Sequence, residues 1–245
     1  MRSIKRLAGV GVLVSAVVVG MALGAPTGQG GKVRVFMLQG GGHDWKHHLP
    51  MLAEILENTG DFTVTLSKDL NQLKAENIRK YDLVFFYGSG LNFSDPSQEK
   101  GLCEFVRAGG GYAGVHSASD SFKKSDRYWE MVGGRFAGHG HGTYTVHICD
   151  KDHPITAPLE DFEITDECYR HSYHKNLRMR ALTCMDWGNE RQTMAWVRDY
   201  GKGRMFYTAN GHGRKAWTNP HWQRLVVRGM YWAAGRDVKD PPAAK

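Results

Sequence analysis

Between Lys32 and Val115, short apolar strand signals alternate with helix signals, and this alternation narrows the fold more than any other feature of the 245 residues. Residues 33–38 read as a strand that runs into Gly40-Gly41-Gly42. Residues 48–58 carry Leu49, Leu52, Ile55 and Leu56 at helical spacing, with Pro50 tolerable near a first turn. A second strand is predicted over 62–66, a polar helix over 70–80 and a fully buried third strand at Leu83-Val84-Phe85-Phe86. Ser94 or Asp95 caps a helix that starts at Pro96, and Gly109-Gly110-Gly111 stops it before a fourth strand at Tyr112-Ala113-Gly114-Val115. Strand and helix in this rhythm imply right-handed crossovers and a parallel sheet covered on both faces.

Beyond about Gly142 the rhythm changes. Segments 143–148, 181–185 and 193–197 look like antiparallel or mixed-sheet strands, while 204–208 returns as a core strand. Residues 220–234 form a closing amphipathic helix, and the tail from 237, with Asp240-Pro241-Pro242, is expected to be disordered. The reading is one α/β domain over 32–236, with a mostly parallel central sheet, helices on both faces and extra strands in the C-terminal half. At 41% hydrophobic and 23% charged, the chain is neither a polytopic membrane protein nor a charged disordered one.

The first residues stand apart. Arg2, Lys5 and Arg6 precede an uncharged run from Leu7 to Leu23, and the small residues Ala22, Gly24 and Ala25 follow. This is the layout of a secretory signal over 1–25, followed by a linker over 26–31; an uncleaved anchor is the rival. A periplasmic or secreted protein is therefore expected, touching the membrane only through that signal. Loss of the three basic residues lowers the formal charge of +7 to about +4, too weak to argue for nucleic acid. The run Arg170, Lys175, Arg178 and Arg180 reads as a solvated face. Cys103, Cys149, Cys168 and Cys184 show no metal-finger spacing, and buried free thiols are expected over a disulfide.

In open parallel sheets, ligands bind beyond the carboxyl ends of the strands. Three histidines fall there: His43 after the first strand, His116 at the end of the fourth in Gly114-Val115-His116-Ser117-Ala118, and His212 in Asn210-Gly211-His212-Gly213. Imidazoles gathered at one rim suit acid/base work or metal ligation. The sharp turn at His116 has the shape of a nucleophile elbow, with Ser117 the reacting group only if the turn lies one residue on. Gly88-Ser89-Gly90 offers backbone N–H donors to a substrate oxygen. Gly138-His139-Gly140-His141-Gly142 is a His-x-His on an expected glycine-rich loop, for metal or substrate, and Asp166-Glu167-Cys168-Tyr169 brings carboxylates beside an aromatic. A glycine-rich dinucleotide fingerprint is missing, so no nucleotide cofactor is expected.

Several of these strings together resemble one family. Gly41-Gly42-His43-Asp44-Trp45, the His116 turn, Gly133-Gly134-Arg135-Phe136-Ala137-Gly138-His139, His153-Pro154-Ile155, Asp166-Glu167-Cys168-Tyr169 and the stretch from Tyr200 to Gly213 are similar to the trehalose-utilisation, or ThuA-like, family. The resemblance spans nearly all of residues 32–235. It implies a class I glutamine-amidotransferase-like scaffold, which is flavodoxin-like α/β, and a link to disaccharide catabolism, with 3-keto-sugars made by partner oxidoreductases as substrates. The amidotransferase nucleophile position holds His116, so glutaminase chemistry is not implied.

The expected function is an exported enzyme acting on a disaccharide or 3-keto-disaccharide. His116 is the central acid/base or metal ligand, with His43, His212 and Glu167 around it. Asp44, Trp45 and Tyr169 hold the sugar, since its apolar face stacks on aromatics; Ser89, Ser117 and His139 are further substrate contacts. A divalent metal, zinc before others, would sit on His43, His116 and His212. Two other readings stand beside this one: a non-catalytic sugar-binding or scaffolding protein, and a hydrolase using Ser117.

Overall fold

The computed structural model describes residues 30–242. The expected signal segment lies outside the described residues, as do all but the last two residues of the linker. Among the described residues no helix is long and apolar enough to cross a membrane.

Nine strands form one sheet in the order β2-β1-β3-β4-β9-β8-β7-β5-β6. β1 (Val33–Leu38), β2 (Phe62–Ser67), β3 (Leu83–Phe86), β4 (Gly111–Val115) and β9 (Gly203–Thr208) are parallel. That half has the flavodoxin-like order, with its direction reversing between β1 and β3. The other half is antiparallel: β8 (Glu190–Tyr200), β7 (Arg180–Trp187), β5 (Gly134–Ile148) and β6 (Phe162–Tyr173). Parallel and antiparallel pairings are equal in number, so the expectation of a mostly parallel sheet is corrected to a mixed one. The cause is the length of β5 and β6, which form a long hairpin ribbon where the sequence suggested a loop and one short strand.

Strand alternation fills two core layers. Val35, Met37 and Phe85 face Leu49, Leu52 and Leu56 of α1 (Trp45–Asn58) and Trp222, Leu225 and Val226 of α6 (Pro220–Ala233). Phe36, Val84 and Phe86 share the opposite layer with Leu102 and Val106 of α3 (Pro96–Arg107) and Met131 of α4 (Asp126–Val132). Helix starts follow capping chemistry. Asp95 accepts from the Ser97 amide at 2.8 Å ahead of Pro96, and Asn219 accepts from His221 and Trp222 ahead of Pro220. The polar helix expected over 70–80 is instead a 3₁₀ turn, Leu70–Leu73, followed by the single-turn α2 (Ala75–Ile78). α5 (Arg214–Trp217) is equally short.

Two further expectations are corrected. Cys149 and Cys184 form a disulfide between the end of β5 and β7, with Cα atoms 6.1 Å apart, because antiparallel pairing sets their neighbours side by side. Cys103 and Cys168 are free and buried. The tail is pinned as far as Asp240, whose carboxylate accepts from Arg224 at 2.6 Å and Arg228 at 2.8 Å.

Candidate functional site

His43, His116 and His212 converge. Each follows the carboxyl end of a parallel strand, β1, β4 and β9. Their ring centroids lie 5.0, 5.2 and 5.3 Å apart, and one nitrogen from each falls within 4.8 Å of the others. Two of them sit on unusual backbone. His43 has φ 73° and His116 φ 49°, left-handed conformations that a residue with a Cβ rarely adopts and that cluster at functional sites. The turn before His43 needs glycine. A Cβ on Gly41, itself at φ 77°, would stand 2.3 Å from the Ser89 carbonyl, which accepts the Gly42 amide at 2.9 Å.

His116 is fully buried, and its Nδ1 lies 2.7 Å from the Ala209 carbonyl. A carbonyl only accepts, so Nδ1 carries a proton and Nε2 points into the site. His43 Nδ1, His116 Nε2 and His212 Nδ1 are all buried without a hydrogen-bond partner. Three unpaired imidazole nitrogens in one place are costly unless something binds there. Burial first, then the neighbouring His116 and His212, lowers His43 to about 4, and burial also lowers His212. Neutral imidazoles are the state that ligates a divalent cation, and the donor set fits one.

Glu167 of β6 closes the fourth side. Its Oε2 lies 3.4 Å from His116 Nε2, while Oε1 lies 3.3 Å from His212 Nδ1 and 3.5 Å from His139 Nδ1. Burial raises its pKa, but the neighbouring His116, then His212, outweigh that and leave it below the usual carboxylate value. Neighbouring Asp166 does different work. It is buried and accepts the amides of Gly211 at 2.6 Å and His212 at 3.0 Å, fixing the loop that carries the third imidazole.

The other expected contacts divide. Trp45 is half-buried at the first turn of α1, with its indole N–H on the Gly41 carbonyl at 3.2 Å and Lys68 Nζ 4.7 Å from its ring centre. Asp44 turns its carboxylate to His47 at 2.7 Å. Tyr169 is buried, its ring 4.1 Å from that of His116, so it packs beneath the site. Ser117 is buried with its hydroxyl unpaired. His139 lies on strand β5, not on a loop. Sequence reading missed Tyr87, whose hydroxyl donates to the His212 carbonyl at 3.0 Å, and Tyr207, which donates to the His116 carbonyl at 2.6 Å. Both occupy apolar strand patterns that signal core.

Known proteins share the fold, and a family model matches the sequence. The family described as ThuA, trehalose utilisation, matches residues 32–233. A ThuA-like protein from Parabacteroides merdae ATCC 43184 superposes with a TM-score of 0.76 at 23% identity, over 86% of this chain and 94% of that one. One from Bacteroides uniformis ATCC 8492 gives 0.68 at 18%, over 88% and 97%. A cold-adapted β-galactosidase from Rahnella sp. R3 gives 0.59 at 14%, over 83% of this chain and 31% of that one. No curated protein matches. With four-fifths of its length matched in one stretch, this chain belongs to the ThuA, or trehalose-utilisation, family.

Proposed function

We propose that this protein is an enzyme of carbohydrate catabolism acting on a disaccharide or 3-keto-disaccharide, with a divalent cation, zinc before others, on His43, His116 and His212. The observation that carries the reading is the trio of imidazole nitrogens buried without a hydrogen bond, two of them, on His116 and His212, lying 3.4 and 3.3 Å from the Glu167 carboxylate. When bound, the cation supplies a Lewis acid that polarises a keto or hydroxyl oxygen of the sugar. A ketone at C3 acidifies the C2 hydrogen. Glu167, kept ionised by the histidines around it, takes that proton. The C2–H electrons form the C1–C2 double bond as the C1–O bond breaks, so the second sugar departs with the bonding pair. Trp45, the first residue of the helix that follows His43, is the aromatic that would stack on the sugar ring, displacing Lys68 from its face.

The scaffold is read as class I amidotransferase-like on the strand order β2-β1-β3-β4-β9 and the turn after β4, where His116 stands at the nucleophile position. Sugar oxidoreductases are the partners that would make the ketone. Export to the periplasm or beyond is supported by the Cys149–Cys184 disulfide, which oxidising compartments favour. The test is turnover of 3-keto- and ordinary disaccharides by the native protein and by His116→Ala. Loss of about 10²–10⁴-fold is expected in the variant. Undiminished turnover would refute the assignment of roles.

A further inference from the structure

The oxygen that departs with the second sugar needs a proton, and an irregularity in β5 brings one more imidazole to the site. Along the ribbon Phe136 pairs with His171 and Gly138 with Arg170, so Ala137 is an extra residue, a β-bulge. Gly138 beside it takes a φ of 140°. In unbroken register His139 would oppose Cys168. The bulge sets it opposite Tyr169 instead, on the face that Glu167 shares two residues along β6. His139 Nδ1 lies 3.5 Å from Glu167 Oε1 and 3.3 Å from the Gly140 carbonyl. A carbonyl only accepts, so Nδ1 carries a proton and Nε2 is left for a ligand.

Exposure gives the site a direction. The His116 side chain is fully buried and that of Glu167 is 12% exposed, whereas that of His139 is 45% exposed. A sugar ring with its C2 at Glu167 has the three-histidine cluster on its buried side, so the second sugar on C1 extends to the open side, where His139 stands. His212 is also partly open, but its Nδ1 is buried in the cluster.

We infer that His139 is the general acid of this site, serving a sugar leaving group. This rests on the reading of Glu167 as the base. As Glu167 takes the C2 proton, Nε2–H of the His139 imidazolium gives its proton to the oxygen of the breaking C1–O bond. The bonding pair stays on that oxygen, the second sugar leaves as a neutral alcohol, and His139 is left neutral with its remaining proton on Nδ1, toward Gly140.

The experiment compares the native protein with His139→Gln on two substrates, a 3-keto-disaccharide and a nitrophenyl 3-keto-glucoside. An alkoxide is too basic to leave without a proton, whereas nitrophenolate needs none. Turnover of the disaccharide is expected to fall by about 10²–10⁴-fold in the variant, and turnover of the nitrophenyl substrate to change little. Each protein serves as its own control through the ratio of the two rates, and an unchanged melting temperature checks the fold. An equal loss on both substrates, or no loss on either, would overturn the acid role while leaving Glu167 and the three histidines in theirs. No turnover of either substrate by the native protein would overturn both readings.

Discussion

The hydroxyl of Tyr207 donates to the main-chain carbonyl of His116 at 2.6 Å, tying a core strand to the residue whose backbone is left-handed at the centre of the site. Ser119 and His171 complete the knot, at 2.8 and 3.2 Å from the same hydroxyl. Tyr207→Phe keeps the ring and deletes the tie. Stability is expected to fall by about 1–2 kcal/mol, measured by urea denaturation. Turnover is expected to drop roughly ten- to a hundredfold, because small displacements of a catalytic group are costly.

Asp166 and Glu167 are adjacent carboxylates with separable duties, and substitution should distinguish them. Asp166→Ala leaves the buried Gly211 amide without its acceptor, and the unfolding free energy is expected to fall by about 1–3 kcal/mol, seen as a lower denaturation midpoint. Glu167→Gln should leave that midpoint nearly unchanged while abolishing turnover, since its carboxylate touches only the imidazoles of the site.

Buried neutral histidines set the acid limit. Burial, followed by the charge of Arg180, lowers His153 to about 4, and its Nδ1 accepts the Ile155 amide at 3.2 Å, which requires that nitrogen to be bare. Burial, then His116, lowers His171 to about 3. A depressed histidine means that the unfolded chain binds the proton first. Stability is therefore fully present above about pH 6.5 and declines as pH falls toward 4, at about 1.4 kcal/mol per pH unit for each histidine that titrates. Denaturation midpoints between pH 7.5 and 4.5 check this, and His153→Asn, which retains an acceptor, should flatten the slope.

Reduction offers a further check. The Cys149–Cys184 bridge closes a loop of 35 residues in sequence separation, which restricts the unfolded chain. Replacing both cysteines by serine is expected to cost about 2–4 kcal/mol, seen as a lower melting temperature that no longer responds to a thiol reductant.

The parallel half was legible in the sequence because Val33–Leu38 and Leu83–Phe86 are compact apolar strands bounded by glycine turns and helix caps. That half alone places His43, His116 and His212 at one rim. The ribbon was illegible for opposite reasons. Gly138, Gly140 and Gly142 look like a loop, yet a Cβ on Gly140 would meet Trp187 at 2.5 Å, so glycine there serves close packing inside a strand. In β6 the charged pair Asp166-Glu167 interrupts the apolar alternation that marks a strand. The Cys149–Cys184 pairing and the hold of Arg224 and Arg228 on Asp240 depend on contacts between distant segments, which local spacing does not encode.

Within the sheet, the β5–β6 ribbon joins the remaining strands through just two residue pairs, His147 with Cys184 and Ile148 with Thr183. The wall that carries Glu167, His139 and His141 is therefore seated against the imidazole floor by side chains more than by strand pairing, with Asp166 on the Gly211 and His212 amides and Tyr144 on Asn210. The seam between the two halves of the sheet thus runs through the candidate site itself, so the contacts that fasten the ribbon are the same ones that shape the loop holding His212.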